Sequence, residues 1–253
     1  MSARVLDDLR GRIRRLERPT GRPAGALPFG IPAIDQALPA QGLERGTLHE
    51  IAGGGADEVA GACAALFTAG ILARLPHSIL WCGTARDLFA PGLACAGLLP
   101  HRVLHAEAPD DTTVLLVMEE ALRHPGLSAV VGELTSLPMT ASRRLVLAAE
   151  KSGVTALALR RRREGKAEKS GLTAACTRWR VTPLPSPPPL PGQHSGGLDR
   201  ARWRIELTRC RGGQPDSWIM EACDAQGCLA VPADLADRPA GQTGQAWAGL
   251  HAG

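Results

Sequence analysis

The stretch over residues 46–61, GTLHEIAGGGADEVAG, limits the fold more than any other part of the chain. A short apolar strand (Thr47, Leu48, His49, Glu50, Ile51) leads into Gly53, Gly54 and Gly55, and an alanine-rich helix is predicted over 58–73. Strand, glycine run and helix form the layout of a phosphate-binding loop. Such a loop has the pattern G-x-x-x-x-G-K-[ST], because backbone N–H groups wrap the phosphates, a lysine reaches the terminal ones and a hydroxyl holds Mg²⁺. Counted from Gly53, the second glycine position holds Glu58, the lysine position Val59 and the hydroxyl position Ala60. The scaffold of a nucleotide site is present without its chemistry.

Each substitution removes a different contribution. Val59 offers no charge to a phosphate, where a hydrogen bond to a charged group is worth ~1.5–3 kcal/mol. Ala60 cannot ligate Mg²⁺, and Asp57 and Glu58 would set like charges beside a triphosphate. Lysine occurs only at Lys151, Lys166 and Lys169, so none lies close in sequence to replace the missing one. A plain glycine turn with no phosphate history also fits this stretch taken alone.

Apolar runs alternate with helical patterns along the middle of the chain. Strands are expected at 78–82, 101–105, 127–131 and 154–159, with helices over 86–96, 112–124 and 140–152. Strands separated by helices of about a dozen residues predict an α/β fold with a mostly parallel sheet covered on both faces. Hydrophobic content of 44% and charged content of 21% suit a globular core. The net charge of +4 is too small to imply a nucleic-acid partner by itself. A charged start and the lack of any apolar run of ~18 residues give the expectation of a cytoplasmic chain with no membrane segment. Seven scattered cysteines with no C-x-x-C pair read as reduced thiols, and no metal or other cofactor is expected.

Five regions follow from these changes in composition. Residues 1–22 hold an amphipathic helix over 4–18 and a linker, the apolar stripe being Val5, Leu9, Ile13 and Leu16. That helix fits either its own domain or a partner. The core spans 23–182, a Pro/Gly-rich loop 183–200, a C-terminal β extension 201–236 and a flexible tail 237–253. Within the core, RRRREGKAEK over 160–169 places six positive charges (Arg160, Arg161, Arg162, Arg163, Lys166 and Lys169) in ten residues. An exposed loop is expected there, either a solvated turn or a contact for nucleic acid or a partner. The extension opens with RWRI, which repeats the RWRV pattern at 178–181. It presents Arg202, Arg204, Arg209 and Arg211 as candidate contacts for an acidic partner, the alternative being that its strands are structural members of the sheet. Trp179 and Trp203 read as core anchors. A hairpin about DAQG is expected to close the ordered chain, with strands at 218–223 and 228–231.

The run GIPAIDQALPAQGLERGTLHEIAGG resembles the approach to the phosphate loop in the RecA recombinase core. SILWCGTARDLFAPGLACAGLLPHRVL, EEALRHPGLSAVVGEL, SRRLVLAAEKSGVTALALRR and ARWRIELTRCRGG are similar to the ImuA family, RecA-like accessory factors of bacterial mutagenic translesion synthesis. The resemblance covers about residues 27–238 and implies a RecA-like P-loop-type core in which the glycine loop is a relic. It places Glu133 where the RecA pattern has a metal-supporting aspartate, now with Ala60 opposite. It also places Gly83, Thr84, Ala85 and Arg86 where a catalytic glutamate follows the strand, Asp87 being the first acid there. Residues 160–169 match the second DNA-binding loop.

The resemblance thus implies a non-enzymatic adaptor. Its partners would be an ImuB-like Y-family polymerase homologue, an error-prone C-family DNA polymerase and RecA, with single-stranded DNA as a further contact. A SulA-like inhibitor of cell division, from the same DNA-damage response, is the alternative.

Overall fold

The computed structural model describes residues 25–55, 57–161, 171–186 and 200–232. The expected helix over 4–18, the basic residues Arg162, Arg163, Lys166 and Lys169, and the tail from 237 lie outside this set. The chain opens with a small antiparallel pair, β1 (Ala26–Leu27) and β2 (Leu43–Glu44), that brackets helix α1 (Pro32–Ala37). Asp35 fixes the turn into α1, its carboxylate accepting from the N–H groups of Phe29 at 2.7 Å and Gly30 at 2.9 Å.

The central sheet then builds in alternation. Strand β3 (Leu48–Gly53) is followed by a π-helical turn (Asp57–Gly61) and helix α2 (Ala62–Ala73), then β4 (Ser78–Gly83), α3 (Ala90–Cys95) and β5 (Val103–Glu107). Next come α4 (Asp111–Ala121), β6 (Leu127–Leu134), α5 (Met139–Ser152) and β7 (Thr155–Arg160). Three strands in succession finish it: β8 (Thr177–Leu184), β9 (Arg202–Cys210) and β10 (Asp216–Glu221). The order across the sheet is β10-β9-β8-β3-β7-β6-β4-β5. The strands from β8 to β5 are mutually parallel, and β9 and β10 join antiparallel at one edge. The chain is therefore an α/β protein with a mostly parallel central sheet flanked by helices. Among the described residues, no helix is long and apolar enough to cross a membrane.

Two apolar cores form because successive side chains of a strand point to opposite faces. On one face α2 packs over Ile51, Trp81, Val131, Leu157 and Trp179. Helix α2 is apolar nearly all round, and Phe67 stacks on Phe29 at 6.1 Å and meets Trp179 at 5.9 Å. On the other face α4 and α5 cover Leu48, Val130, Ala156 and Ala158. Helix α5 buries only a stripe (Ser142, Leu145, Val146, Ala149) and ends at Gly153, whose φ of +80° suits the left-handed cap.

The C-terminal strands differ from their expected role as a partner-facing extension. Trp203, Ile205 and Leu207 of β9 are buried in the α2 core, and β9 pairs with β8 along its whole length. The strand alternation that puts Arg202 and Arg204 on the other face also drives their neighbours into the core. Arg209 donates to the Thr173 carbonyl at 2.6 Å, so Arg211 alone of the four is exposed. The strand expected at 228–231 reduces to a single bridge between Glu221 and Ala230. Asp224 holds that turn by accepting from the N–H groups of Gln226 and Cys228, both at 2.9 Å.

His49 is a buried structural residue with a defined proton. Its Nε2 lies 2.6 Å from the Glu44 carbonyl, which can only accept, so Nε2 carries the hydrogen. Nδ1 then accepts from the Thr177 hydroxyl at 2.7 Å, and that oxygen accepts in turn from Trp179 Nε1 at 2.7 Å. Burial pushes the imidazole down to about 4, against the smaller opposing effect of the Glu44 bond. The folded chain thus keeps His49 neutral where the unfolded chain protonates it near 6.5. Stability from this group is complete above pH 6.5 and is lost as pH falls towards 4, amounting to about 3 kcal/mol in all. Urea unfolding across that window should show the loss, and His49→Gln should flatten the pH profile.

Candidate functional site at the carboxyl end of the sheet

The glycine loop sits at the end of β3, and its first amide is already engaged. Gly54 N–H donates to the Val181 carbonyl of β8 at 2.8 Å, extending the strand pairing by one residue. A Cβ on Gly53 would lie 2.6 Å from the Ala60 carbonyl, and one on Gly54 would lie 1.9 Å from Thr182 Oγ1. These two glycines are therefore required by the close approach of the helix start and β8. Ala60 is buried against the loop, whereas Val59, at the lysine position, is 60% exposed. The wide π turn before α2 occupies residues that pattern alone assigned to an ordinary helix.

Glu133, at the end of β6, is 4% exposed and fully engaged within the chain. One oxygen accepts from Trp81 Nε1 at 2.7 Å and the other from Arg161 Nη1 at 2.8 Å. The second nitrogen of the same guanidinium reaches Asp87 at 2.6 Å. That hydrogen bond holds the Asp87 carboxyl below the usual carboxylate range. Arg161 thus ties the segment after β4, the end of β6 and the end of β7 together.

A second network lies on the opposite face. Glu50 of β3 is 5% exposed, with Arg178 Nε at 3.0 Å, Arg160 Nη1 at 3.4 Å and the Thr173 hydroxyl donating at 2.9 Å. Arg160 also donates to the Thr135 carbonyl at 2.8 Å. Buried carboxylates are tolerated only with such pairing, because an isolated buried charge costs several kcal/mol.

These contacts correct the reading of residues 160–169 as a wholly exposed loop. The Arg160 side chain is 12% exposed and that of Arg161 27%. Strand β7 runs one residue further than its apolar pattern suggests, and alternation sends the two arginines to opposite faces, each onto a buried glutamate. Sequence reasoning missed Glu50, Trp81, Thr173 and Arg178 as members of these networks. The available signal was one acid inside each of two apolar strands, LHEIAG and LSAVVGEL.

Among the described residues no group of three or more potential ligands could hold a metal ion. Cysteines 63, 82, 95, 176, 210, 223 and 228 are free, and burial pushes the Cys176 and Cys223 thiols up to about 12. Both are poor nucleophiles at neutral pH.

No protein-family profile matches the chain. A solved structure of SulA from Pseudomonas aeruginosa covers 45% of this chain and 96% of its own at 25% identity, with a TM-score of 0.39, a likeness too loose to argue from. Protein ImuA of Caulobacter vibrioides, strain NA1000, is 38% identical over 219 residues, which is 83% of this chain and 88% of the relative. The same protein from strain CB 15 matches to the same extent. At that identity and coverage, the chain belongs to the ImuA family.

Proposed function

We propose that this chain is a non-catalytic, RecA-like accessory factor of damage-induced mutagenic translesion DNA synthesis. It acts as an adaptor among an ImuB-like Y-family polymerase homologue, an error-prone C-family polymerase and RecA. Family membership supplies the context of damage-induced mutagenesis. The observation that carries the adaptor reading is the closed carboxyl end of the sheet. The loop amide of Gly54 is spent on β8, and Glu133 is held by Trp81 and Arg161. A fold whose nucleotide corner is filled from within retains its surfaces for binding other macromolecules. Any contact with single-stranded DNA through the basic run then falls to Arg162, Arg163, Lys166 and Lys169, since Arg160 and Arg161 serve the sheet.

The test is affinity purification of the tagged full-length chain from DNA-damaged cells, paired with the induced mutation frequency in a deletion strain. The two polymerase partners should co-purify, and deletion should abolish induced mutagenesis. Filamentation on overexpression, with mutagenesis unaffected and no polymerase recovered, would instead identify a SulA-like division inhibitor.

A further inference from the structure

Helices α4 and α5 leave a groove between them of about 210 Å³, lined by Leu115, Leu116, Pro138, Ala141 and Leu145. An ion pair between Glu119 and Arg144 borders it. The volume is below the ~300–1,000 Å³ of small-molecule sites, so the groove suits inserted side chains rather than a ligand. Leu116 is 55% exposed at its rim.

We propose that this groove seats the chain's own N-terminal segment, residues 4–18, docked as an amphipathic helix. That segment carries one apolar stripe (Val5, Leu9, Ile13, Leu16) with arginines at 10, 12, 14 and 15 around it. Only the stripe can be buried without stranding charge. A groove between two helices takes such a stripe side chain by side chain.

The chain leaves the described structure at a place from which the groove is within reach. Gly25 accepts from Arg45 N–H at 2.9 Å, and Ala26 pairs with Glu44. Glu44 is linked to α5 through the segment before β8: Cys176 Sγ donates to its carboxylate at 3.5 Å, and Ala174 N–H donates to Ser142 Oγ of α5 at 2.9 Å. Ser142 adjoins Ala141, which lines the groove. The connecting residues 19–24 span up to ~20 Å, and a helix over 4–18 is ~22 Å long. The C-terminal tail starts beyond β10, at the opposite end of the sheet from β6 and β4, over which α4 packs. Five strand spacings make that separation ~24 Å, so the N-terminal segment is the nearer occupant.

Limited trypsin digestion of the full chain under native conditions, read by mass spectrometry, tests this. Cleavage after Arg10, Arg12 and Arg14 should be at least tenfold slower in the wild type than in Leu116→Asp. Leu9→Asp should release the same sites, and both variants should keep the cooperative unfolding of the sheet, since Leu116 lies at the groove rim and not in the core. Equal cleavage in all three proteins would overturn the proposal. Protection that rises with protein concentration would overturn it in favour of a second copy, and protection lost on deleting 237–253 would do so in favour of the tail.

Discussion

Arg161→Ala should lower the unfolding free energy by about 3 kcal/mol at neutral pH, several times what an exposed arginine contributes. The change leaves Glu133 almost wholly buried with Trp81 Nε1 as its one remaining partner among the contacts described above. Breaking one side of a buried pair costs ~3–5 kcal/mol, and the partial exposure of Arg161 sets the lower end of that range. Removing both charges should hurt less: Glu133→Gln with Arg161→Met keeps an acceptor for Trp81 and leaves no buried charge. Urea unfolding of the single and double variants measures the coupling. A loss within ~0.5 kcal/mol of zero for Arg161→Ala is the value for a solvated turn.

Removal of everything after Leu184 should yield an aggregating chain rather than a folded core that has lost its partners. Strand β9 hydrogen-bonds to β8 from Thr177 to Leu184, and its loss would open that edge and uncover Trp179 and Val181. The same dependence appears in a single substitution. Trp203 is 1% exposed in the α2 core, so Trp203→Ala should cost ~3–5 kcal/mol. Expression of the truncation, followed by sedimentation and thermal unfolding, decides the matter. A soluble monomer that melts cooperatively would restore the C-terminal strands as an appendage.

The order of the elements was legible because each strand of the parallel core is an uninterrupted apolar run between helical patterns. The position of an element in the sheet was not. RWRV and RWRI both read as half-buried strands, yet nothing local says that the strands holding them pair antiparallel and extend the sheet past β3. The arginines show the same limit. Composition makes 160–169 a polar loop, and only the register of β7 against β3 and β6 brings Arg160 to Glu50 and Arg161 to Glu133. Helix α3 begins at Ala90, although its pattern allowed a start at Arg86. Pro91 fits the first turn, while Arg86 and Asp87 are drawn away to Glu107 and Arg161. That Val59 and Ala60 offer neither a positive charge nor a hydroxyl beside the glycine loop could be read directly. The hydrogen bond from the Gly54 amide to Val181 of β8 could not, because it depends on a strand more than a hundred residues away.

Titration calorimetry of the full-length protein with Mg²⁺-ATP, carried to millimolar nucleotide, is the most direct measurement of a corner closed from within. The predicted result is no saturable heat, because Val59, Ala60 and the engaged Gly54 amide leave the phosphates without a lysine, a metal-bearing hydroxyl or a complete cradle of N–H groups. Saturable, Mg²⁺-dependent binding that is lost on Glu133→Ala would contradict it, since the loop and Glu133 would then be a working nucleotide site.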